Sequence, residues 1–145
     1  MNVEIINKPL RLDIHGFSGA AINKDYVDTA FKLMDKMWQT VKQNGLRHKG
    51  LNVWVYDPNE MLFTGVELEE PPERDIGLEQ KIILLEKYAY CKHIGPYSLI
   101  KNTGMTMAEE LKKLGSKIDH PYIEIYGHWT NDETKLETDL LMCLK

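Results

Sequence analysis

Apolar and polar positions alternate with a period of two along most of the 145-residue chain, and twice the period shifts towards 3.6. Val3 to Ile14 is β-branched and extended, so with Pro9 inside it predicts one kinked strand or two short ones. Gly16 and Gly19 then read as a turn. Asn23 is the expected N-cap of a first helix, and Asp25 and Asp28 suit its positive end. Val27, Phe31, Met34, Trp38 and Val41 recur at steps of four and three, which places them on one apolar face. Phe31 and Trp38 are expected in the core, and Gly45 is the stop signal. Leu51 to Tyr56 alternates, with Leu51, Val53 and Val55 on one face and Asn52, Trp54 and Tyr56 on the other. Asp57-Pro58-Asn59-Glu60 is turn chemistry, and Met61 to Leu68 is the returning strand.

The same order then recurs. Lys81 to His93 predicts a strand, Gly95-Pro96-Tyr97 a turn, and Ser98 to Leu114 a helix. Thr106 and Glu109 have the spacing of a capping box. Tyr122 to Tyr126 alternates again, Thr130-Asn131-Asp132 turns, and Leu136 to Leu144 returns. Val53-Trp54-Val55-Tyr56 matches Ile123-Glu124-Ile125-Tyr126 at an offset of 70 residues, 123 less 53. The pattern predicts an α+β fold of duplicated βαββ units, with antiparallel sheets and two helices around a central ligand groove. One domain spans residues 1–145, with pseudo-repeats 1–70 and 77–145 and a proline-containing linker at about 69–76.

Composition narrows the function. A net charge of −4 argues against a nucleic-acid partner, which needs a clustered basic footprint. The densest basic stretch, Lys42 to Lys49, reads as a solvated helix end. The two cysteines, Cys91 and Cys143, fit unpaired thiols in a reducing cytosol better than one disulfide. No apolar run is long enough to span a membrane and the first residues lack a signal-peptide layout, so a cytoplasmic location is expected. The five histidines show no metal-ligand spacing, and no metal or cofactor is expected. Open edge strands leave a homodimer as an option.

The chemistry converges on one face. Glu124 shares a strand face with Tyr122 and Tyr126, and at the matched position of the other repeat stands Trp54. A carboxylate amid rings suggests a box for a cation, with ring faces supplying cation–π attraction and Glu124 the counter-charge. The alternative is an exposed polar face with ordinary packing for each ring. The expected ligand-binding set is Glu124, Trp54, Tyr56, Tyr126, Tyr90, Tyr97, Tyr122 and Trp129, with Tyr88 beside Tyr90.

Tyr88-Ala89-Tyr90-Cys91-Lys92-His93-Ile94-Gly95-Pro96-Tyr97, a helix, Tyr122-Ile123-Glu124-Ile125-Tyr126 and finally Leu136-Glu137-Thr138-Asp139 resemble the GyrI-like or AraC-type effector-binding domains. That family includes the drug-binding halves of multidrug-responsive transcription activators. The resemblance implies a central pocket where Glu124 faces the ligand and Trp54, Tyr56 and Tyr126 stack on it. Regulator members carry a helix-turn-helix segment upstream, and none is expected within these 145 residues. The function it implies is binding of small amphipathic, cationic aromatic compounds, without direct nucleic-acid contact. Two alternatives follow from the same family. One is hydrolysis of cyclopropane-bearing toxins, with Glu124 as general base and Tyr56 or Tyr126 as hydrogen-bond donor. A second acid for that chemistry would be Glu67, Glu137 or Asp139. The other is a protein-interaction inhibitor, such as a gyrase-modulating protein.

Overall fold

In the computed structural model, which describes residues 2–145, eight strands form one open antiparallel sheet carrying two helices. The strands are β1 (Glu4–Ile6), β2 (Leu10–Ala20), β3 (His48–Tyr56), β4 (Met61–Leu68), β5 (Glu79–Leu85), β6 (Tyr88–Ile94), β7 (Ile118–Tyr126) and β8 (Glu137–Leu144). The helices are α1 (Tyr26–Gln43) and α2 (Ile100–Lys113). The spatial order is β1-β6-β8-β7-β3-β4-β2-β5. The α+β architecture is therefore as the pattern predicts.

Several local expectations are corrected. The extended stretch at 81–93 is two strands, because the chain bends at Glu86 and Lys87 and carries β5 and β6 to opposite ends of the sheet. Gly16 and Gly19 make no turn but lie inside β2. At Gly16 the need is space: a Cβ there would sit 1.8 Å from the Thr64 carbonyl oxygen on β4. The N-cap of α1 is Asp25, not Asn23, and its carboxylate accepts from the Asp28 amide at 3.2 Å. Thr106 caps nothing; its hydroxyl donates back to the Asn102 carbonyl at 3.0 Å inside α2.

Both helices pack on one face of the sheet. Under α1 lie Phe17, Leu62, Val66 and Trp54, and under α2 lie Ala89, Cys91, Leu140 and Met142. The other face holds its own core of Leu12, Ile14, Val53, Val55, Phe63, Ile83, Leu85, Tyr88, Ile123 and Leu141. Cys91 and Cys143 are both free, and they serve opposite cores, so no disulfide geometry is open to them.

The burial of α1 differs from the expected stripe. Its fully buried residues are Ala30, Met37 and Val41, while Val27 is 59% and Phe31 49% exposed. Phe31 is thus not a core residue, and Trp38 is only half-buried. The cause is rotational: Ala30, Leu33, Met37 and Val41 face the sheet, and Val27, Phe31 and Met34 border the space beside the helix. No helix of the described residues is long and apolar enough to cross a membrane.

Candidate ligand-binding site

β3 and β7 are direct neighbours at the middle of the sheet, and their register sets Trp54 opposite Glu124. On either side come the pairs Tyr56 with Tyr122 and Asn52 with Tyr126. Strand alternation turns all six towards the helices, because Val53, Val55 and Ile123 occupy the opposite core. The exposed-face alternative is excluded: Glu124 is 5% and Trp54 6% exposed.

A carboxylate so buried is costly unless its oxygens are hydrogen-bonded. Three phenols supply those bonds. Tyr126 and Tyr56 donate to Oε1 at 2.7 and 3.0 Å, and Tyr122 donates to Oε2 at 2.7 Å. Charge-assisted bonds of this kind are the strong ones. Burial, and then the Glu124 charge, raise the pKa of Tyr56, Tyr122 and Tyr126 well above the ordinary tyrosine value. The three hydroxyls therefore act as fixed neutral donors.

The rings around this centre touch one another. Tyr56 and Tyr122 lie 5.3 Å apart between centres, Trp54 and Tyr126 4.9 Å, and Tyr26 packs on Tyr56 at 5.8 Å. Phe31 meets Trp54 edge-on at 5.5 Å, and Tyr97 meets Tyr126 in the same way at 5.5 Å. Between α1, β3 and the segment after β7 a cavity of about 520 Å³ opens on this cluster. Trp54 and Tyr126 form its inner wall, with Val27, Phe31, Met34, Tyr97, His128 and Trp129 around it. Glu124 does not border the open space, since Tyr126 and Trp54 separate it from the cavity. The wall bears no Lys or Arg. Its character is that of an apolar, aromatic receptacle with one negative charge behind it.

Two other clefts are slightly larger, about 650 and 620 Å³. One lies in the loop around Pro71 and Pro72, the other beside the edge of β6, and neither joins a buried carboxylate to aromatic faces.

Seven of the eight residues singled out in the sequence gather here. Glu124, Trp54, Tyr56, Tyr122 and Tyr126 form the centre, Tyr97 the flank, and Trp129, 74% exposed, the mouth. Tyr90 does not join them. It packs with Tyr88 on the far face of the sheet and donates to Asp139 at 2.8 Å. Glu67 pairs with Lys49 at 3.1 Å and Glu137 with Lys92 at 3.0 Å, so neither offers the site a second acid. Asp139 is engaged by Tyr90. Phe31, Val27, Met34, Asn52 and His128 also line the cavity, outside the set expected from the sequence. Of these Asn52 carried a signal, since it shares its strand face with Trp54 and Tyr56.

Residues 32–145 match the sequence profile described as the GyrI-like small molecule binding domain. No curated protein matches the chain. Among solved structures, the EcmrR C-terminal domain is 13% identical with a TM-score of 0.78, covering 100% of this chain and 99% of that one. SAV2435 bound to tetraphenylphosphonium is 17% identical with a TM-score of 0.63, covering 100% and 94%. A hydrolase from Listeria innocua is 17% identical with a TM-score of 0.56, covering 99% and 91%.

Proposed function

Because the chain belongs to the GyrI-like small molecule binding domain family, we propose that its cavity binds lipophilic aromatic cations of varied structure. One observation carries the reading: the buried Glu124 carboxylate is held by three tyrosine hydroxyls directly behind an aromatic wall. A phenol donating to a carboxylate has a more electron-rich ring, and ring faces attract cations, more so when water is excluded. The charge of Glu124 thus reaches the cavity through Tyr126 and the space beside Trp54. Affinity comes from burying apolar ligand surface against Phe31, Met34, Trp54, Tyr97 and Trp129. The tetraphenylphosphonium seen on SAV2435, which shares this fold, supports the choice of ligand class.

The test is a tryptophan-fluorescence titration with tetraphenylphosphonium. Glu124→Gln is expected to weaken binding ten-fold or more, about 1.4 kcal/mol. Equal affinity in the variant and the parent chain would remove Glu124 from the account.

Hydrolysis draws on the same carboxylate, and the Listeria innocua hydrolase of similar fold gives it some support. A general base needs a water on its oxygen. Here the phenols take three of the roughly four lone-pair sites of Glu124, and Glu124 does not line the cavity, so a bound molecule meets Tyr126 and Trp54 rather than the carboxylate. Binding without turnover is therefore the better reading. Catalytic consumption of a cyclopropane-bearing electrophile, rather than one equivalent bound, would reverse that order.

The same proposal takes the chain as one effector-binding domain of the AraC-type class, with residues 1–70 and 77–145 as its repeats. It works in the cytoplasm, without a cofactor and without touching nucleic acid. The open edges of β1 and β5 permit a homodimer, which sedimentation would reveal.

A further inference from the structure

The aromatic floor beneath the helices is lopsided. At one end Tyr56 and Tyr122 pair across β3 and β7, and their rings, 5.3 Å apart, fill the space. At the other end the pair is Asn52 and Tyr126. An amide stands where the opposite end has a ring, and it is there that the cavity opens, with Asn52 in its wall.

The orientation of that amide is determined. Trp38 on α1 donates its indole N–H to Asn52 Oδ1 at 2.6 Å. An indole nitrogen can only donate, so the atom it meets must be the oxygen, and a flipped amide would set donor against donor. His48 packs edge-on against Trp38 at 4.7 Å and keeps the indole in place. The Nδ2 group then brings two N–H donors to a mainly apolar and aromatic wall, which also carries Ser98 and His128. None of the hydrogen bonds among the described residues uses them.

We infer that Asn52 is a specificity-determining residue of this cavity. Its Nδ2 donates to an uncharged acceptor, a carbonyl or ether oxygen, carried on an arm of the bound cation. The site therefore prefers acceptor-bearing lipophilic cations to all-hydrocarbon ones. An anionic acceptor is disfavoured because Glu124 lies behind the same wall. The inference rests on the cation-binding reading of the cavity and adds a second requirement to it.

The test compares tetraphenylphosphonium with its para-acetyl derivative by calorimetric titration of the whole chain. The parent chain is expected to bind the acetyl compound about five-fold more tightly, the worth of one ordinary hydrogen bond. Asn52→Asp keeps an oxygen for Trp38 and nearly the same shape but presents no donor, so the ratio between the two compounds should fall to about one. Asn52→Leu should abolish it as well, and thermal unfolding of each variant checks that the fold persists. A ratio that is one in the parent chain, or that survives in both variants, overturns the assignment of Asn52. If tetraphenylphosphonium itself fails to bind the parent chain, the cation reading falls instead, and the two failures are distinct.

Discussion

Glu124 survives in the centre of the sheet because three phenols were placed to meet it, and those phenols carry a consequence of their own. Folded, Tyr56, Tyr122 and Tyr126 resist ionisation through burial and the adjacent carboxylate; unfolded, they ionise near the ordinary value of 10.0. A group whose pKa is raised on folding contributes stability below its unfolded value and loses it as pH rises further. Stability should hold up to about pH 10 and then fall by about 1.4 kcal/mol per pH unit for each such tyrosine. Urea midpoints measured between pH 9 and 11 would show it. Tyr122→Phe is expected to lower the slope by the share of one phenol, up to about 1.4 kcal/mol per pH unit, because one phenol no longer ionises in the unfolded chain. Tyr90 and Tyr97, also raised on folding, keep their shares; an unchanged slope would contradict the assignment. The sequence disclosed that Glu124 shares a face with Tyr122 and Tyr126. That Tyr56 reaches it from the neighbouring strand was not legible, since alternation assigns a face but neither a register between strands nor a rotamer.

At the scale of elements, the helix α1 was legible as a helix and illegible in its rotation. Val27, Phe31, Met34 and Trp38 satisfy the helical period as well as Ala30, Leu33, Met37 and Val41 do, so the apolar surface spans more than one stripe. Which stripe meets the sheet depends on partners that periodicity does not contain. The two stripes should separate in experiment. Met37→Ala, at a fully buried position, is expected to cost about 2–5 kcal/mol of stability with little direct effect on ligand contacts. Phe31→Ala should cost clearly less in stability and weaken phosphonium binding, because its ring leans edge-on against Trp54 at the cavity wall. The reverse ranking in denaturation and titration would place α1 differently. β2 shows a related ambiguity. Glycine serves tight turns and close contacts alike, and Gly16 serves the second: Gly16→Ala would drive a methyl into the Thr64 carbonyl, so it is expected to destabilise by more than about 3 kcal/mol or prevent folding.

At the scale of the molecule, the order β1-β6-β8-β7-β3-β4-β2-β5 sets the two site strands at the centre and the shortest strand at the rim. Most of the sequence of elements was readable from periodicity, though not the break at Glu86 and Lys87 that separates β5 from β6. The crossing by which β1 joins β6 and β5 joins β2 was not, because pairing between residues so far apart leaves no local mark. This arrangement predicts a gradient of local stability. β3 and β7 are bonded on both edges, sit between two cores, and bring together the Trp54–Glu124 pair on which the proposed binding site depends. β1 contributes three residues bonded to one neighbour. Opening β1 exposes little apolar surface, whereas opening β7 exposes both cores and uncovers the carboxylate. Amide exchange should therefore be slowest at Val53, Val55, Ile123 and Ile125, approaching the global unfolding limit, and fastest among the strands at Glu4–Ile6. Saturating tetraphenylphosphonium should slow exchange throughout the central pair and leave β1 almost unchanged, because local opening at the rim does not release a ligand held at the middle. Equal protection at β1 and β7 would mean that the sheet opens as a unit, and the site would then be no more rigid than its edge.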